Sequence, residues 1–455
     1  MPGLLTLDEL RAAFEAGEID TVVAAQVDMQ GRLMGKRFHA AHFLDSAHEE
    51  THGCNYLTAT DMEMLPVEGF RATSWAAGYG DYTMRPDLST LRRTPWLEGT
   101  ALVLCDVEDH GTHEPVPHSP RAVLKRQIAR LAERGFTATM ASELEFFLFR
   151  QSYEEADRRG YRGLDLVSSY NEDYHVLQTT KEEAVMRALR NGLYGAGIPV
   201  ECSKGEASAG QEEINVQYAD ALTAADNHVI TKNATKEIAW THGQAATFMA
   251  KWDDASAGSS SHVHQSLRAE DGTPVFFDPD KPHGMSDLMR HYLAGLLKYA
   301  DATTLLLAPG VNSYKRFVAG TFAPTMAVWS LDNRTAGYRL CGADTKGIRV
   351  ECRVGGADLN PYLAFAGQIA AGLAGIEEEL SLEAAFEGDA YAAADVPNVP
   401  GTLRAATEAF DQSVMLREAL GDDVVDHYVH AARHEQSEYD RHVTDWEVRR
   451  GFERG

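Results

Sequence analysis

The chain has 455 residues, 44% hydrophobic and 9% aromatic, a composition typical of a soluble enzyme that is too long for one compact core. Its formal charge of −26 argues against a nucleic-acid partner, because a phosphate backbone repels such a surface. No long uncharged apolar run is present, which argues against a membrane span, and the acidic amphipathic start resembles neither a signal peptide nor a transit peptide.

The start of the chain has the pattern of a short helix followed by a β-rich region. Thr6 and Glu9 have the spacing of a capping box, and the helix that they open should end near Gly17. Residues 20–110 then mix short apolar runs with Gly and Pro turns, and ALVLCDV at 101–107 is typical of a strand. We therefore expect a small β-rich N-terminal domain.

Helical patterns dominate the rest of the chain. Ser119-Pro120 is a good helix start, and the amphipathic helix that follows should end at Gly135. Thr180 opens a second helix, which reaches Gly197 and has Glu183 as the partner in a capping box. Further helical segments are predicted at 221–243, 285–303, 359–381 and 402–436. The five cysteines form no CxxC pair, which predicts free thiols in a reducing cytoplasm: Cys54, Cys105, Cys202, Cys341 and Cys352.

Charged residues at alternate positions of strand-like segments carry the functional signal. Side chains two apart on a strand share a face, and this applies to a glutamate pair in ATMASELEFFLF, a histidine pair with Ser266 in SSHVHQSL, and charged residues in GIRVECRV. An ordinary strand with one solvent face shows the same alternation. Here, however, large or β-branched neighbours flank the charges, as in strands covered on both sides, where a charge needs a partner.

If these faces converge on one cavity, five carboxylates and one imidazole meet there: Glu143, Glu145, Glu206, Glu213, Glu351 and His262. Oxygen ligands with one histidine suit Mg²⁺ or Mn²⁺, and more than one ion is needed to offset the charge. Forked donors for phosphates and for a substrate carboxylate would come from Arg316, Arg334, Arg339, Arg349 and Arg353. Paired metals beside arginines favour phosphoryl transfer. The chain has no Walker-type loop, no GxGxxG before a helix and no nucleophile elbow.

Seven segments, in order, resemble motifs of the glutamine synthetase family. They are GYGDYTMRPDLSTLRRTPW, SELEFFLF, GEASAGQEEI, ATFMAKW with GSSSHVHQS, NSYKRFVAGTFAP, DNRTAGYRL and IRVECRVGGADLNPYLAFA. The resemblance implies an α+β fold: a β-grasp N-terminal domain at 1–112, and at 113–455 a large α/β catalytic domain with a curved antiparallel sheet. It also implies a cytoplasmic homo-oligomer, a dodecamer of two hexameric rings with active sites between subunits, whose partners are small molecules rather than nucleic acid or membrane.

The same resemblance implies roles for individual residues. One metal ion would be held by Glu145, Glu206 and Glu213, and the other by Glu143, His262 and Glu351. Glutamate would contact Gly258, Arg316 and Arg353. ATP would contact Glu201, Tyr218, His264, Ser266, Arg334, Arg339, Lys346 and Arg349, and the catalytic set would be Arg334, Glu351 and His262. The implied reaction is a two-step ligation in which ATP phosphorylates the γ-carboxylate of glutamate and an amine then displaces phosphate.

The departures from the family pattern lie where the family handles ammonia. The flap glutamate expected two residues beyond the Gly of VPGxE is replaced by Phe322, and HGCNYLTA at 52–59 has no aspartate where FDGSS would supply one. Losing these carboxylates weakens a site for a small cation, whereas a phenyl ring adds apolar area for a carbon-bearing amine. We therefore expect an organic amine acceptor. The overall pattern is most similar to actinobacterial enzymes that glutamylate amines, with ethanolamine as the first choice.

Several alternatives stay open at this point. A polyamine acceptor is less favoured because no added pocket carboxylate is evident in the sequence, and ammonia is the acceptor if Phe322 merely packs the flap. A non-enzymatic relative should have lost metal ligands, and all six are present. A metal-dependent amide hydrolase would not need the arginine set.

Overall fold

The computed structural model describes residues 2–393 and 395–455, and two β-sheets form its framework. The first sheet has six strands, β1–β6: Thr21–Val27, Leu33–His39, Thr51–Cys54, Asp81–Pro86, Arg92–Arg93 and Thr100–Asp109. Their order is β2-β1-β6-β4-β3, with β5 also paired to β6. β1 pairs with β6 in parallel, and the other pairs are antiparallel.

The second sheet has nine strands, β7–β15: Phe136–Phe149, Val200–Gly205, Gln211–Val216, Ala219–Asp220, Ala245–Thr247, Val263–Ala269, Trp329–Leu331, Tyr338–Cys341 and Arg349–Cys352. The order is β13-β14-β15-β12-β7-β9-β8, with β10 and β11 also paired to β7. Its pairs are antiparallel except for β13 with β14, which run parallel. The predicted α+β fold is confirmed, and the second sheet is antiparallel apart from this pair.

Fourteen α-helices, α1–α14, occur in the described part of the chain: Leu7–Glu15, Ala40–His42, Pro120–Ala132, Tyr153–Arg158, Val176–Thr179, Glu183–Gly195, Ala221–Thr241, Asp287–Lys298, Ala300–Leu307, Pro361–Glu377, Leu403–Asp411, Val414–Leu420, Asp422–Arg441 and Asp445–Gly451. A π-helix covers Phe43–Ala47, and 3₁₀-helices cover Asn55–Thr58, Leu88–Thr90, Pro282–Gly284, Val311–Arg316 and Ala390–Ala392. None of the described helices is long and apolar enough to cross a membrane.

The helix starts test the capping predictions directly. Thr6 caps α1 in a complete capping box with Glu9, as predicted. The second predicted capping box is wrong, because α6 begins at Glu183 after Glu182, and the Thr180 hydroxyl donates back to the Val176 carbonyl at 2.8 Å. The competing bond within the preceding turn removes Thr180 from the helix start.

Two of the predicted helical segments are divided. Residues 285–303 form α8 and the first half of α9, which meet at Tyr299, and residues 402–436 lie in α11, α12 and α13. Ser413 caps α12 through its hydroxyl, and Gly421, at φ 89°, separates α12 from α13. A left-handed residue cannot continue an α-helix, and glycine reaches that conformation without steric cost.

The two faces of β7 have different neighbours. Side chains at even positions are buried towards the helices, and Ser142 contacts His228 of α7 at 2.7 Å between Oγ and Nδ1. Glu143 and Glu145 lie on the opposite face. Helix α10 is buried over nearly its whole length and packs against α3, α7, α8 and α9 in the main core. The strand period thus leaves one face of the sheet for polar side chains.

Buried polar contacts connect the first sheet to the helices that pack on the second sheet. Arg121 of α3, with 2% of its side chain exposed, donates to Asp87 at 2.7 Å, Asp106 at 2.6 Å and Asp226 of α7 at 3.1 Å. The amide of Asn360 donates to the carbonyl of Asp28 at 3.1 Å. The strands of the first sheet lie within 21–109 and those of the second within 136–352, while a domain boundary near residue 112 stays a prediction.

Candidate active site

Four adjacent strands, in the order β15-β12-β7-β9, bring the predicted residues together. His264 of β12 lies opposite Glu351 of β15, and Glu145 of β7 lies opposite Glu213 of β9. His262 immediately precedes β12, next to the strand position of Glu143. Directly opposed residues in an antiparallel pair share a face. The alternating charges read from the sequence therefore converge on one side of the sheet.

The first cluster consists of Glu143, His262 and Glu351. One ligand atom from each lies within 4.8 Å of those of the others, with 2.6 Å between His262 Nδ1 and Glu143 Oε2 and 3.5 Å between that nitrogen and Glu351 Oε1. Arg353 and Arg339 donate to the two oxygens of Glu351 at 2.5 and 2.9 Å. This cluster is thus partly neutralised by the chain itself.

The second cluster consists of Glu145, Glu206 and Glu213, whose oxygens also lie within 4.8 Å of one another. Asn215 donates to Glu213 at 2.8 Å, and the Lys204 ammonium is hydrogen-bonded to Glu206. All three carboxylates point into one small volume. Oxygen ligands in this number suit a hard divalent cation.

The pKa values separate the two clusters. Burial works to raise the pKa of Glu143 and Glu351, but hydrogen bonds from His262 and His264 hold the pKa of Glu143 well below its ordinary value, and the charges of His262 and Arg353 lower that of Glu351 to about 2. In the second cluster, burial and then the neighbouring carboxylates raise the pKa of Glu145 to about 8 and that of Glu213 to about 9. The charge of Lys204 therefore offsets only part of the negative charge of the second cluster.

The donor set fits divalent metal ions at both clusters. The six predicted ligands form two groups of three, and each group has the members that were predicted for it. Magnesium and manganese ions both accept carboxylate oxygens, and manganese also accepts imidazole nitrogen. Glu143, His262 and Glu351 would hold one ion, and Glu145, Glu206 and Glu213 the other.

A cavity of about 360 Å³ adjoins the first cluster. Its lining includes most of the residues predicted to contact ATP: Glu201, Tyr218, His264, Ser266, Lys346 and Arg349, together with Glu143. A second cavity, of about 390 Å³, is lined by Glu143, His264, Arg339 and Arg349. Because both cavities share Glu143, His264 and Arg349, a phosphorylated ligand could extend from one to the other.

Arg316 and Gly258 lie in direct contact, as the predicted glutamate site requires. The Nη2 of Arg316 donates to the carbonyls of Val354 at 2.6 Å and Gly355 at 2.9 Å, and a Cβ on Gly258 would lie 2.3 Å from Cγ of Arg316. The Nε atoms of Arg316 and Arg353 are buried without a hydrogen-bond partner in the described residues. Two buried, unsatisfied donors are suited to an anionic ligand.

Phe322 is 57% exposed and stands on a loop beside the arginines. Its backbone has φ 59°, and its carbonyl accepts from Arg353 Nη2 at 3.3 Å. The loop is thereby connected to Glu351, to which Arg353 also donates. Phe322 therefore offers an ammonium ion a phenyl ring in place of the carboxylate of the family's flap glutamate.

Among the described residues, Arg334 is not one of those that line the two cavities. It is exposed in the loop between β13 and β14, and within the described residues its side chain makes no hydrogen bond or salt bridge. In the same loop, the Asp332 carboxylate accepts a hydrogen bond from Nε of Arg339 at 3.0 Å. The role of Arg334 stays a prediction.

Three residues that hold site side chains in place were not predicted from the sequence. Ser260 donates to both oxygens of Glu145, Asp332 accepts from Arg339, and Lys204 binds Glu206. Lys204 could have been found, because it precedes Glu206 by two positions and so shares its face if the strand extends. Ser260 and Asp332 carry no local signal, since each acts through a residue far away in the chain.

This chain is similar in sequence to known proteins. The family profile of the glutamine synthetase catalytic domain matches residues 117–451. The chain is 49% identical to the gamma-glutamylethanolamide synthetase GlnA4 of Streptomyces coelicolor, over 99% of this chain and 96% of that protein. It is 36% identical to a glutamate–isopropylamine ligase of a Pseudomonas species, over 97% of each.

The fold also has a solved counterpart. The structure of GmaS without ligand superimposes with a TM-score of 0.85 at 27% identity, covering 98% of this chain and 99% of the other. Coverage at this level extends to both sheets. This chain is therefore similar in sequence to the two ligases, and in architecture to the solved structure, over nearly its whole length.

Proposed function

The chain belongs to the glutamine synthetase family, and from this premise we propose that it is an ATP-dependent ligase that joins the γ-carboxylate of glutamate to an organic amine. The observation that carries the proposal is the position of two metal-ligand clusters side by side on one sheet face, next to a cavity lined by the predicted ATP residues. A carbon–nitrogen ligase needs both features in one place.

The chain's own residues have distinct tasks in this proposal. Bound Mg²⁺ or Mn²⁺, two or more ions per site, would supply positive charge against the phosphates. Arg339 and Arg349 line the cavity where a transferred phosphoryl group would lie, and Arg334 would join them if its loop closes. Glu351 orients Arg339 and Arg353 through its two oxygens. Electrostatic stabilisation by such fixed groups carries most of the catalysis in phosphoryl transfer.

Glutamate recognition rests on the buried guanidinium groups. Arg316 and Arg353 each have a buried Nε without an acceptor in the described residues, and Gly258 lets Arg316 pack against its backbone, where a Cβ would clash. A substrate α-carboxylate would satisfy both donors. The γ-carboxylate would then be phosphorylated, and the amine would displace phosphate from the γ-glutamyl phosphate.

Ethanolamine is the first candidate for the amine. The 49% identity to an ethanolamide synthetase over nearly the whole of both chains supports it, and the isopropylamine ligase also uses an amine that carries carbon. Phe322, exposed beside Arg353, offers apolar contact to such an amine and no general base for ammonium. Polyamines and ammonia are the competing acceptors.

The test is phosphate release from ATP with Mg²⁺ and glutamate, measured with ethanolamine, isopropylamine, putrescine, spermine and ammonia as acceptors. We expect the highest kcat/KM with ethanolamine and a γ-glutamyl amide as the product by mass spectrometry. Efficient turnover with ammonia alone would return the protein to glutamine synthesis. If none of these amines supports turnover, the ligase proposal is refuted.

We also propose that the protein is a cytoplasmic homo-oligomer, a dodecamer by the family resemblance. Large exposed side chains in the first half and at the end of the chain, such as Trp75 at 69% and Trp446 at 64% exposure, are consistent with surfaces that another copy covers. Light scattering coupled to size-exclusion chromatography measures the mass. A monomer at micromolar concentration would contradict this proposal without affecting the ligase assignment.

A further inference from the structure

Three buried glutamates form a cluster that the proposed reaction does not use. Glu172, Glu182 and Glu212 are 0%, 2% and 1% exposed, and one carboxylate oxygen from each lies within 4.8 Å of the others. Glu172 belongs to the segment before α5, Glu182 immediately precedes α6, and Glu212 lies in β9. Three segments of the chain therefore contribute one carboxylate each.

The cluster lies on the opposite side of the sheet from the active site. Glu212 is paired with Phe146 of β7, whose side chain is buried in the main core, whereas its neighbour Glu213 is paired with Glu145 on the active-site face. Adjacent strand residues point to opposite faces. The cluster is thus separate from both predicted catalytic metal clusters.

The carboxylates lack partners, which is an observation independent of their closeness. Both oxygens of Glu182 are buried without a hydrogen-bond donor in the described part of the chain, as are Oε2 of Glu172 and Oε1 of Glu212. Ser168 donates to the other oxygen of Glu172 at 2.8 Å. None of the three glutamates forms a salt bridge within residues 2–393 and 395–455.

Such an arrangement is expensive unless something neutralises it. Removing a carboxylate from water without pairing it costs several kcal/mol, and here three are removed together. Calcium binds carboxylate oxygens at about 2.3–2.6 Å, so oxygens around one such ion lie within roughly 5 Å of each other. One oxygen from each of the three glutamates lies within 4.8 Å of the other two, so a single oxygen-ligated cation can contact all three.

We propose that Glu172, Glu182 and Glu212 form a structural site for a divalent cation that binds oxygen ligands, with Ca²⁺ as the probe that tests it. The ion would tie β9 to the segments that precede α5 and α6. Because Glu212 adjoins Glu213, this connection would also fix the strand that presents a catalytic ligand. The site is structural, since its ligands face away from the active-site side of the sheet.

The test counts ions and does not depend on activity. The full-length protein is dialysed against EDTA and then against Ca²⁺ alone, and its calcium content is measured by mass spectrometry alongside the Tm. We expect wild type and Glu183→Gln to bind one more ion per chain than Glu182→Gln, with a Tm that rises with the logarithm of Ca²⁺ concentration in the first two proteins. Glu183 is the matched control, as it is the next residue and pairs with Arg190 at 2.6 Å. Equal ion counts and equal Tm rises in all three proteins would overturn the proposal.

A second variant covers the case in which Glu182→Gln does not fold. The double variant Glu145→Gln/Glu351→Gln disables both predicted catalytic clusters and keeps the buried cluster intact. We expect it to retain one Ca²⁺ per chain. If it binds none, the buried glutamates are neutralised in another way and the proposal fails. Ligase activity plays no part in either outcome, so the proposed function can fail independently.

Discussion

Ser260 holds both oxygens of Glu145: its backbone N–H donates to Oε2 at 2.7 Å and its hydroxyl donates to Oε1 at 2.6 Å. The two residues are 115 positions apart in the chain. Both are buried, so the contact fixes the orientation of a predicted metal ligand. A ligand that is already oriented loses less entropy when an ion binds.

Ser260→Ala removes the hydroxyl donor and keeps the backbone donor. We expect the affinity for Mn²⁺ to fall about 10-fold or more, because loss of a group that orients a metal ligand has effects of this size. Calorimetric titration with Mn²⁺ measures it. Ser261→Ala is the control, since the Ser261 hydroxyl is buried without a hydrogen-bond partner in the described residues. Equal losses in both variants would mean that Ser260 acts through general packing.

Glu351→Gln keeps the size of the side chain and removes its charge. Because Arg339 and Arg353 both donate to this carboxylate, we expect the variant to misplace them and kcat to fall on the order of 10³-fold. Steady-state phosphate release with saturating Mg²⁺ measures the effect. Glu270→Gln, in the exposed turn that follows β12, should be unaffected. A kcat within threefold of wild type would remove Glu351 from the catalytic set.

The carboxylates of the second cluster should make the metal-free protein less stable as pH rises through the range 5 to 9. Burial and neighbouring carboxylates raise the pKa of Glu145 to about 8 and of Glu213 to about 9 from an ordinary 4.5, so the folded state binds protons that the unfolded state releases. The stabilisation is complete below about pH 4.5 and is lost as pH rises through the folded-state values. Thermal unfolding in EDTA across this range measures it.

Saturating Mg²⁺ supplies the control for that pH profile. Metal ions displace the bound protons, so the pH dependence between 5 and 9 should flatten and the Tm should rise most at high pH. Glu145→Gln/Glu213→Gln removes both titrating carboxylates, so stability in EDTA should fall less steeply with pH in this variant than in wild type. Parallel profiles of the two proteins would contradict raised pKa values at the second cluster.

Phe322→Glu restores a carboxylate at the loop position beside Arg353. We expect kcat/KM for ammonia to increase about 10-fold or more, since a general base and an anionic contact return together, and kcat/KM for ethanolamine to fall. Phe322→Leu keeps apolar area without the carboxylate and is the matched control. If both variants treat the two amines as wild type does, Phe322 does not set acceptor choice.

Arg121→Met should destabilise the contact between the two sheets. It leaves Asp226, whose side chain is 4% exposed, without its cationic partner, which costs about 3–5 kcal/mol. Lys125→Met is the control, because Lys125 pairs with Asp106 from a side chain that is 39% exposed, and such pairs contribute at most about 1 kcal/mol. Urea unfolding of both variants measures the difference. Equal midpoints would show that Arg121 is not needed for stability.

Local patterns predicted the helix starts unevenly. Thr6 and Glu9 form their capping box because both partners lie within one turn and face solvent. Thr180 has the same spacing to Glu183, yet it bonds the preceding turn, because α5 immediately before it competes for the hydroxyl. The pattern is the same in both cases, and the neighbouring structure decides between them.

The sequence by itself determined which side chains share a face, because a strand repeats every two residues and glutamates two apart must point the same way. The tertiary structure decided what those faces meet. Ser260 reaching Glu145, Arg353 reaching Phe322 and Glu212 turning into the core with Glu172 and Glu182 all depend on the register between distant segments. No local period encodes that register, since it is set by burial over the whole molecule.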